Sequence, residues 1–136
     1  MTIRNHRRPV RRSTGPDRLT VEAVWDRAGG RCEISGVPLS GERSVGWHVH
    51  HRRPRRMGGS RLDDTNSIEN VMLLSPEAHE YVERNRTEAY ERGWLVRQQD
   101  IPAAVPVIVM VDGRPALVLL TEDAAYADVE MPEAAG

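Results

Sequence analysis

The chain has 136 residues, a length that fits one compact domain, and we expect no second full domain within them. Its single cysteine, Cys32, excludes an intramolecular disulfide, and no apolar stretch approaches the ~20 residues of a membrane-spanning helix. The net charge of -1 hides an asymmetry, because residues 1–61 carry 14 Arg against five acidic residues and residues 62–136 carry five Arg against 15 acidic residues. A basic first part indicates an anionic partner.

The first predicted elements in chain order are a basic arm and a short helix. Residues 1–16 are rich in Arg and contain little apolar pattern, which predicts a flexible arm. From Asp17 the apolar spacing predicts an amphipathic helix that ends at Gly29-Gly30. Residues 31–41 predict a short hairpin or knuckle, and residues 45–50 predict a strand. The polar stretch that follows predicts a long loop, and long loops in small domains are usually functional.

The second half predicts a strand, a helix and a hairpin. Val71-Met72-Leu73-Leu74 is an apolar strand, and Ser75-Pro76 is typical of a helix start; the helix then breaks near residues 85–87. These elements complete a predicted core over residues 17–95. Residues 96–121 predict a hairpin packed on that core, with Asp112-Gly113 as a type I′ turn. Residues 122–136 are acidic and predict a disordered tail.

The histidines are the strongest chemical signal in the chain. His48, His50 and His51 crowd at the end of one strand, and His79 lies in the first turn of the predicted helix. Alternate residues on a strand share a face, so His48 and His50 should point one way and His51 the other. Glu83, one helical turn after His79, is a candidate third ligand or holds a metal-bound water, with a solvated helix residue as the alternative. A structural zinc site needs four closed ligands, so the pattern favours a catalytic metal.

An ordered set of residues runs from the first strand to the helix. It comprises His50-His51-Arg52-Arg53-Pro54, Gly58-Gly59, Glu69-Asn70 before the apolar strand, and His79. This set resembles the HNH (ββα-metal) endonuclease family, and the string HHRRPRRMGGSR with the later GWLV is similar to small HNH proteins of actinobacterial phages. The resemblance implies an α+β fold, in which a small ββα-metal core carries a preceding helix and a C-terminal β-hairpin.

The resemblance also implies a role for each residue of the site. His51 is the implied general base, His50 and His79 are metal ligands, and the side chain of Asn70 holds the loop that positions His51. An imidazole with a pKa of about 6.5 can take the proton of an attacking water near neutral pH. One divalent ion, Mg, Mn, Ni or Zn, would neutralise the charge that develops on phosphate.

Two features surround this site. Many family members carry two Cys-x-x-Cys knuckles that bind a structural zinc, but the corresponding positions here are Cys32 and Ser35, then Ser75 and Ala78, so no structural zinc is expected. Five arginines follow the implied base, and we expect them to contact DNA phosphates, with a solubilising loop as the alternative. They are Arg52, Arg53, Arg55, Arg56 and Arg61.

The sequence thus predicts a metal-dependent endonuclease that hydrolyses phosphodiester bonds in DNA by one-metal, histidine general-base catalysis. The expected partner is double-stranded DNA, the expected location is the cytoplasm of a bacterial host or phage-infected cell, and no membrane contact is expected. The alternative is an HNH-fold accessory subunit that binds DNA in a phage packaging complex, with terminase subunits as partners.

Overall fold

The computed structural model describes residues 15–54 and 64–129, and within them the chain is a mixed α+β structure. The helices are α1 (Arg18–Ala28), α2 (Pro76–Arg84) and α3 (Arg86–Glu91). The strands are β1 (His48–His51), β2 (Val71–Leu74), β3 (Val107–Val111), β4 (Arg114–Leu120) and β5 (Tyr126–Asp128). They form two antiparallel sheets, β1-β2 and β3-β4-β5. None of the helices in these two ranges is long and apolar enough to cross a bilayer. Most of the predicted arm lies outside the described residues.

Helix α1 begins and ends where its capping residues dictate. The Asp17 side chain accepts a hydrogen bond from the Thr20 amide at 2.8 Å, and Gly29 ends the helix in the left-handed conformation (φ 63°). Val24 is fully buried in the core. The apolar spacing from Asp17 includes Leu19, but Leu19 is 75% exposed, so the apolar face is not buried along the whole helix.

The segment after α1 joins the two sheets. Arg31 pairs with Pro38 across a short knuckle, as the turn residues predicted. Within it, the Glu33 amide donates to Leu73 O in β2 at 2.8 Å, and the Met110 amide in β3 donates to Glu33 O at 2.9 Å. One residue of the knuckle therefore holds both sheets by its backbone.

Strand β1 is shorter and later than predicted. It spans His48–His51 rather than residues 45–50, with His48 opposite Leu74 and His51 opposite Val71. The preceding residues form turns around Gly46, where a Cβ would lie 1.8 Å from Ser40 O. All four residues of β2 are buried, which explains why its sequence is continuously apolar rather than alternating.

Helix α2 follows β2 directly. Ser75 caps it, because its Oγ accepts from the Ala78 amide at 3.1 Å, and Pro76 occupies the first turn. The break expected near residues 85–87 occurs at Asn85, which separates α2 from α3.

The C-terminal part is a three-stranded sheet rather than a hairpin with a disordered tail. Asp112 and Gly113 both have positive φ (49° and 77°) and connect β3 to β4, as the sequence predicts. The expectation of disorder from residue 122 is wrong for part of that segment, because β5 pairs with the end of β4. The composition concealed this strand because its one large apolar residue, Tyr126, is stabilised by a contact with distant Glu33.

Candidate metal centre and its surroundings

Strand β1 and helix α2 bring three potential metal ligands together. The ligand atoms of His50, His79 and Glu83 all lie within 4.8 Å of one another. In the described part of the chain, this is the group of three His, Cys, Asp or Glu side chains close enough to share a metal ion. Metal bonds of about 2.0–2.2 Å would place ligands of one ion roughly 3–4 Å apart, so small side-chain adjustments would close the site around an ion. Glu83 is exposed and also pairs with Arg86 at 3.1 Å, and this pair would have to loosen.

The buried candidate ligand, His50, has a defined tautomer. It is 3% exposed, and its Nε2 lies 2.7 Å from Trp94 O. A carbonyl can only accept, so Nε2 carries the proton and the lone pair is on Nδ1. Burial, with smaller contributions from His79, His51 and Arg52, lowers the pKa of His50 to about 4, so the ring is neutral near pH 7, as a metal ligand must be. A ligating histidine that donates its other N–H to a carbonyl is typical of metal sites.

The second histidine, His79, is half-buried on the face of α2 that meets β1. Its ring stands edge-on to those of His48 and His50, with centroids 5.0 and 5.2 Å away. Burial and the nearby His48 lower the pKa of His79, and Glu83 opposes them. This imidazole is therefore also favoured in its neutral, metal-binding form.

His51 lies on the opposite side of β1 from His50, as strand alternation predicts, and a residue that sequence reasoning missed holds it. His51 Nε2 is 2.8 Å from Asn66 Oδ1. An amide oxygen accepts, so Nε2 carries the proton and the lone pair of His51 is on Nδ1. Asn66 lies 15 residues further along the chain, and no spacing rule links it to His51. The resemblance to HNH endonucleases implied no role for it.

Asn70 connects the loop that follows His51 to the start of β2. It is fully buried, its Oδ1 accepts from the Arg53 amide at 2.8 Å, and its Nδ2 donates to Thr65 O at 2.7 Å and Arg53 O at 3.2 Å. The Arg52 amide also donates to Asn70 O at 2.7 Å. The Asn70 side chain thus joins the two ends of the loop, at Arg53, two residues after His51, and at Thr65, the residue before Asn66.

Arg52 does not face a DNA partner, contrary to expectation. It is 0% exposed, and its guanidinium donates to four backbone carbonyls, those of Gly93 at 2.8 Å, Glu69 at 2.9 Å, Pro102 at 3.0 Å and Val105 at 2.7 Å. Burial, followed by repulsion from Arg27, lowers the pKa of Arg52 to about 10, which leaves it charged at neutral pH. Arg52 is a structural cross-link between the site and the C-terminal segment.

Arg53 is also buried, at 4% exposure, and the prediction of phosphate contact is wrong for it too. It donates to Asp100 O at 2.8 Å and forms an ion pair with Asp64. Its geometry therefore closes the loop rather than extending toward a ligand. The other three predicted DNA contacts, Arg55, Arg56 and Arg61, lie outside the described residues.

The GWLV segment, residues 93–96, binds the histidine segment through backbone carbonyls. Gly93 O accepts from Arg52, and Trp94 O accepts from His50, so two successive carbonyls bind two alternate residues of the histidine segment. Gly93 has φ 77°, and a Cβ there would lie 2.0 Å from Pro106 O. This position must be glycine for the candidate ligand His50 to be held.

The predicted knuckle positions lie at one corner of the fold. Ser35, Ser75 and Ala78 line a common pocket of about 470 Å³, together with Ile34 and Tyr81. Cys32 is buried beside it, and its Sγ accepts from the Ser35 amide at 3.4 Å. The corner is therefore built from capped backbone and apolar side chains.

A buried ionic network, missed at the sequence level, supports the same corner. Arg27 and Glu33 form a two-point ion pair at 2.8 and 3.0 Å, the Leu73 amide donates to Glu33 at 2.8 Å, and the Tyr126 hydroxyl donates to it at 2.5 Å. Arg27 also donates to Ile68 O and Val71 O. Burial and Glu33 raise the pKa of Tyr126, so it remains a donor. The network joins α1, the knuckle, β2 and β5.

No family model matches the chain, and neither a curated protein nor a solved structure shows significant similarity to it. The function must therefore be argued from the geometry of the site.

Proposed function

We propose that the protein is a metal-dependent DNA endonuclease of the HNH (ββα-metal) type. The observation that carries the proposal is the convergence of His50, His79 and Glu83 to within 4.8 Å, one residue away from His51. The order of elements supports it, because an antiparallel pair, β1 and β2, is followed at once by a helix that supplies two of the three ligands.

The donor set fits a single catalytic divalent ion. Three ligands leave coordination positions for water and substrate, whereas a structural zinc site closes all four. His50 is held by Trp94 O, so Nδ1 would bind the ion; His79 would bind through a ring nitrogen and Glu83 through a carboxylate oxygen. When bound, the ion supplies Lewis-acid stabilisation of charge on the phosphate and on the leaving oxygen. Two imidazoles favour the later transition metals, such as Ni or Zn, in vitro, and abundance favours Mg in the cell.

His51 is proposed as the general base. Asn66 holds the proton on Nε2, so Nδ1 accepts a proton from the water that attacks phosphorus as the P–O bond to the leaving oxygen breaks. Asn70 is a positioning residue, because it fixes the backbone on both sides of the loop that links His51 to Asn66. Asn66 and Asn70 can both act in this arrangement without touching the substrate.

DNA is the proposed substrate because arginines are concentrated in the first part of the chain, which also contains His50 and His51. With Arg52 and Arg53 buried, the proposed phosphate contacts are Arg55, Arg56 and Arg61, which rest on the sequence alone. Such contacts give affinity that falls with salt and carry little sequence information.

The test is nicking of supercoiled plasmid with Mg, Mn, Ni, Zn or EDTA. Wild type should nick with at least one ion and not in EDTA, and His51→Ala should slow nicking by roughly 10²–10⁴-fold, the usual contribution of a general base. His6→Ala is the control, since it removes a histidine from the predicted arm. Cleavage by His51→Ala at the wild-type rate would overturn the proposal. If wild-type protein binds duplex DNA but does not cleave it with any of these ions, the result would instead favour the accessory DNA-binding role.

A further inference from the structure

A fourth histidine, which the proposed reaction does not use, contacts one of the candidate metal ligands. His48 Nδ1 lies 2.8 Å from His79 Nδ1, and the two rings meet edge-on at an interplanar angle of 80°. His48 opens β1 and is paired with Leu74, the residue just before the cap of α2. Its backbone is therefore fixed relative to the helix that carries His79.

We propose that His48 is a positioning residue that fixes the tautomer and orientation of His79 for metal binding; the inference rests on the proposed metal-dependent function. A hydrogen bond between two ring nitrogens requires one donor and one acceptor. If His48 donates, His79 accepts at Nδ1 and its remaining proton is on Nε2, which leaves no lone pair for a metal. If His79 donates, its Nε2 lone pair is available.

The contact and metal binding are thus compatible in one arrangement. In it, His79 Nδ1–H donates to His48 Nδ1, His48 carries its own proton on Nε2, and His79 binds the ion through Nε2. The arrangement at His50 is the mirror case, in which Nε2 donates to Trp94 O and Nδ1 binds. Each ligating imidazole would then have one nitrogen held by the protein and one for the ion, which is the usual outer contact of metal-bound histidine.

His48 is distinguished from a fourth ligand by the same geometry. His48 Nδ1 is already in hydrogen-bond contact with His79 Nδ1, and His48 is not part of the group formed by His50, His79 and Glu83. A ligand role would require His48 to break this contact. The proposal therefore predicts that metal affinity depends on a hydrogen-bond acceptor at position 48 and does not require that acceptor to be an imidazole.

The test measures Co²⁺ binding by titration calorimetry and by the visible absorption of the bound ion, without DNA. His48→Leu, which has no acceptor, should weaken Co²⁺ binding by about 10–100-fold, the usual loss when an outer contact is removed. His48→Asn, whose Oδ1 can take the place of Nδ1, should restore most of that affinity and keep the wild-type spectrum. His79→Ala gives the reference for loss of a true ligand, and circular dichroism checks that each variant folds.

The outcomes separate the inference from the function on which it rests. Binding by His48→Leu at wild-type affinity, or failure of His48→Asn to restore binding, overturns the inference while the metal site stands. Loss of the wild-type spectrum in His48→Asn identifies His48 as a ligand and also overturns it. No Co²⁺ binding by wild type overturns both. Imidazole ¹⁵N spectra of the Zn²⁺ form would show directly, without a variant, which ring nitrogen of His79 binds the ion. Binding through Nδ1 would contradict the proposal.

Discussion

Replacing Arg52 by methionine should destabilise the protein strongly and affect DNA binding little per folded molecule. The guanidinium is fully buried and donates to four carbonyls from three separate segments, around residues 69, 93 and 102–105. Methionine replaces the unbranched stem of the arginine side chain but lacks the guanidinium and has no donor. Arg52→Met would therefore leave those four carbonyls buried without their partner.

The expected loss follows from opposing terms. A hydrogen bond from a charged group contributes roughly 1.5–3 kcal/mol net, so four independent bonds would set an upper limit of about 6–12 kcal/mol. These four share one guanidinium and are not independent, and removal of one partner of a buried charged network typically costs about 3–5 kcal/mol. At roughly 3–5 °C per kcal/mol for a domain of this size, the melting temperature should fall by about 10–20 °C.

Thermal and urea unfolding of the purified variant provide the assay. Arg18→Met is the matched control, because the Arg18 side chain is 90% exposed and its loss should change stability by less than about 0.5 kcal/mol. If Arg52→Met melted within about 2 °C of wild type and instead lost affinity for duplex DNA at low salt, the phosphate-contact role would be right and the buried cross-link wrong.

Three further predictions follow from other contacts. Tyr126→Phe should lower the free energy of unfolding by about 1.5–3 kcal/mol in urea titration, because Glu33 loses a buried donor; a neutral effect would mean that β5 does not cover the core. Without metal, the free energy of unfolding should fall as the pH drops from 6.5 toward 4, by about 2–4 kcal/mol, because the pKa of His50 is about 4 in the fold and 6.5 when unfolded, so protons bind the unfolded chain more tightly. His50→Gln should flatten that slope, and an equal slope in the variant would assign it elsewhere. Arg55→Gln with Arg56→Gln should reduce the salt dependence of DNA binding by about 0.9 in log–log slope per lost phosphate contact, with an unchanged melting temperature; an unchanged slope would remove both from the interface.

The sequence by itself determined the local elements, because their causes are local. Asp17 and Ser75 start helices through hydrogen bonds three residues away, and Asp112-Gly113 sets a hairpin turn through its own backbone angles. Alternation along a strand separated His51 from His50, and helical spacing placed Glu83 on the face of His79. Each of these patterns depends on residues within a single helix, strand or turn, so it can be recognised directly in the sequence.

Only the tertiary structure decided what the arginines do and what holds the histidines. Arg52, beside a run of charged residues, reads as a surface residue until the carbonyls of residues 69, 93, 102 and 105 are known to surround it. Asn66 beside His51, and His48 beside His79, are contacts across 15 and 31 residues. Hydrogen bonds of this kind depend on how elements pack, and no periodicity records them. The sequence therefore indicated the candidate site residues, and packing decided which ring nitrogen of His50 and of His51 is held by the protein.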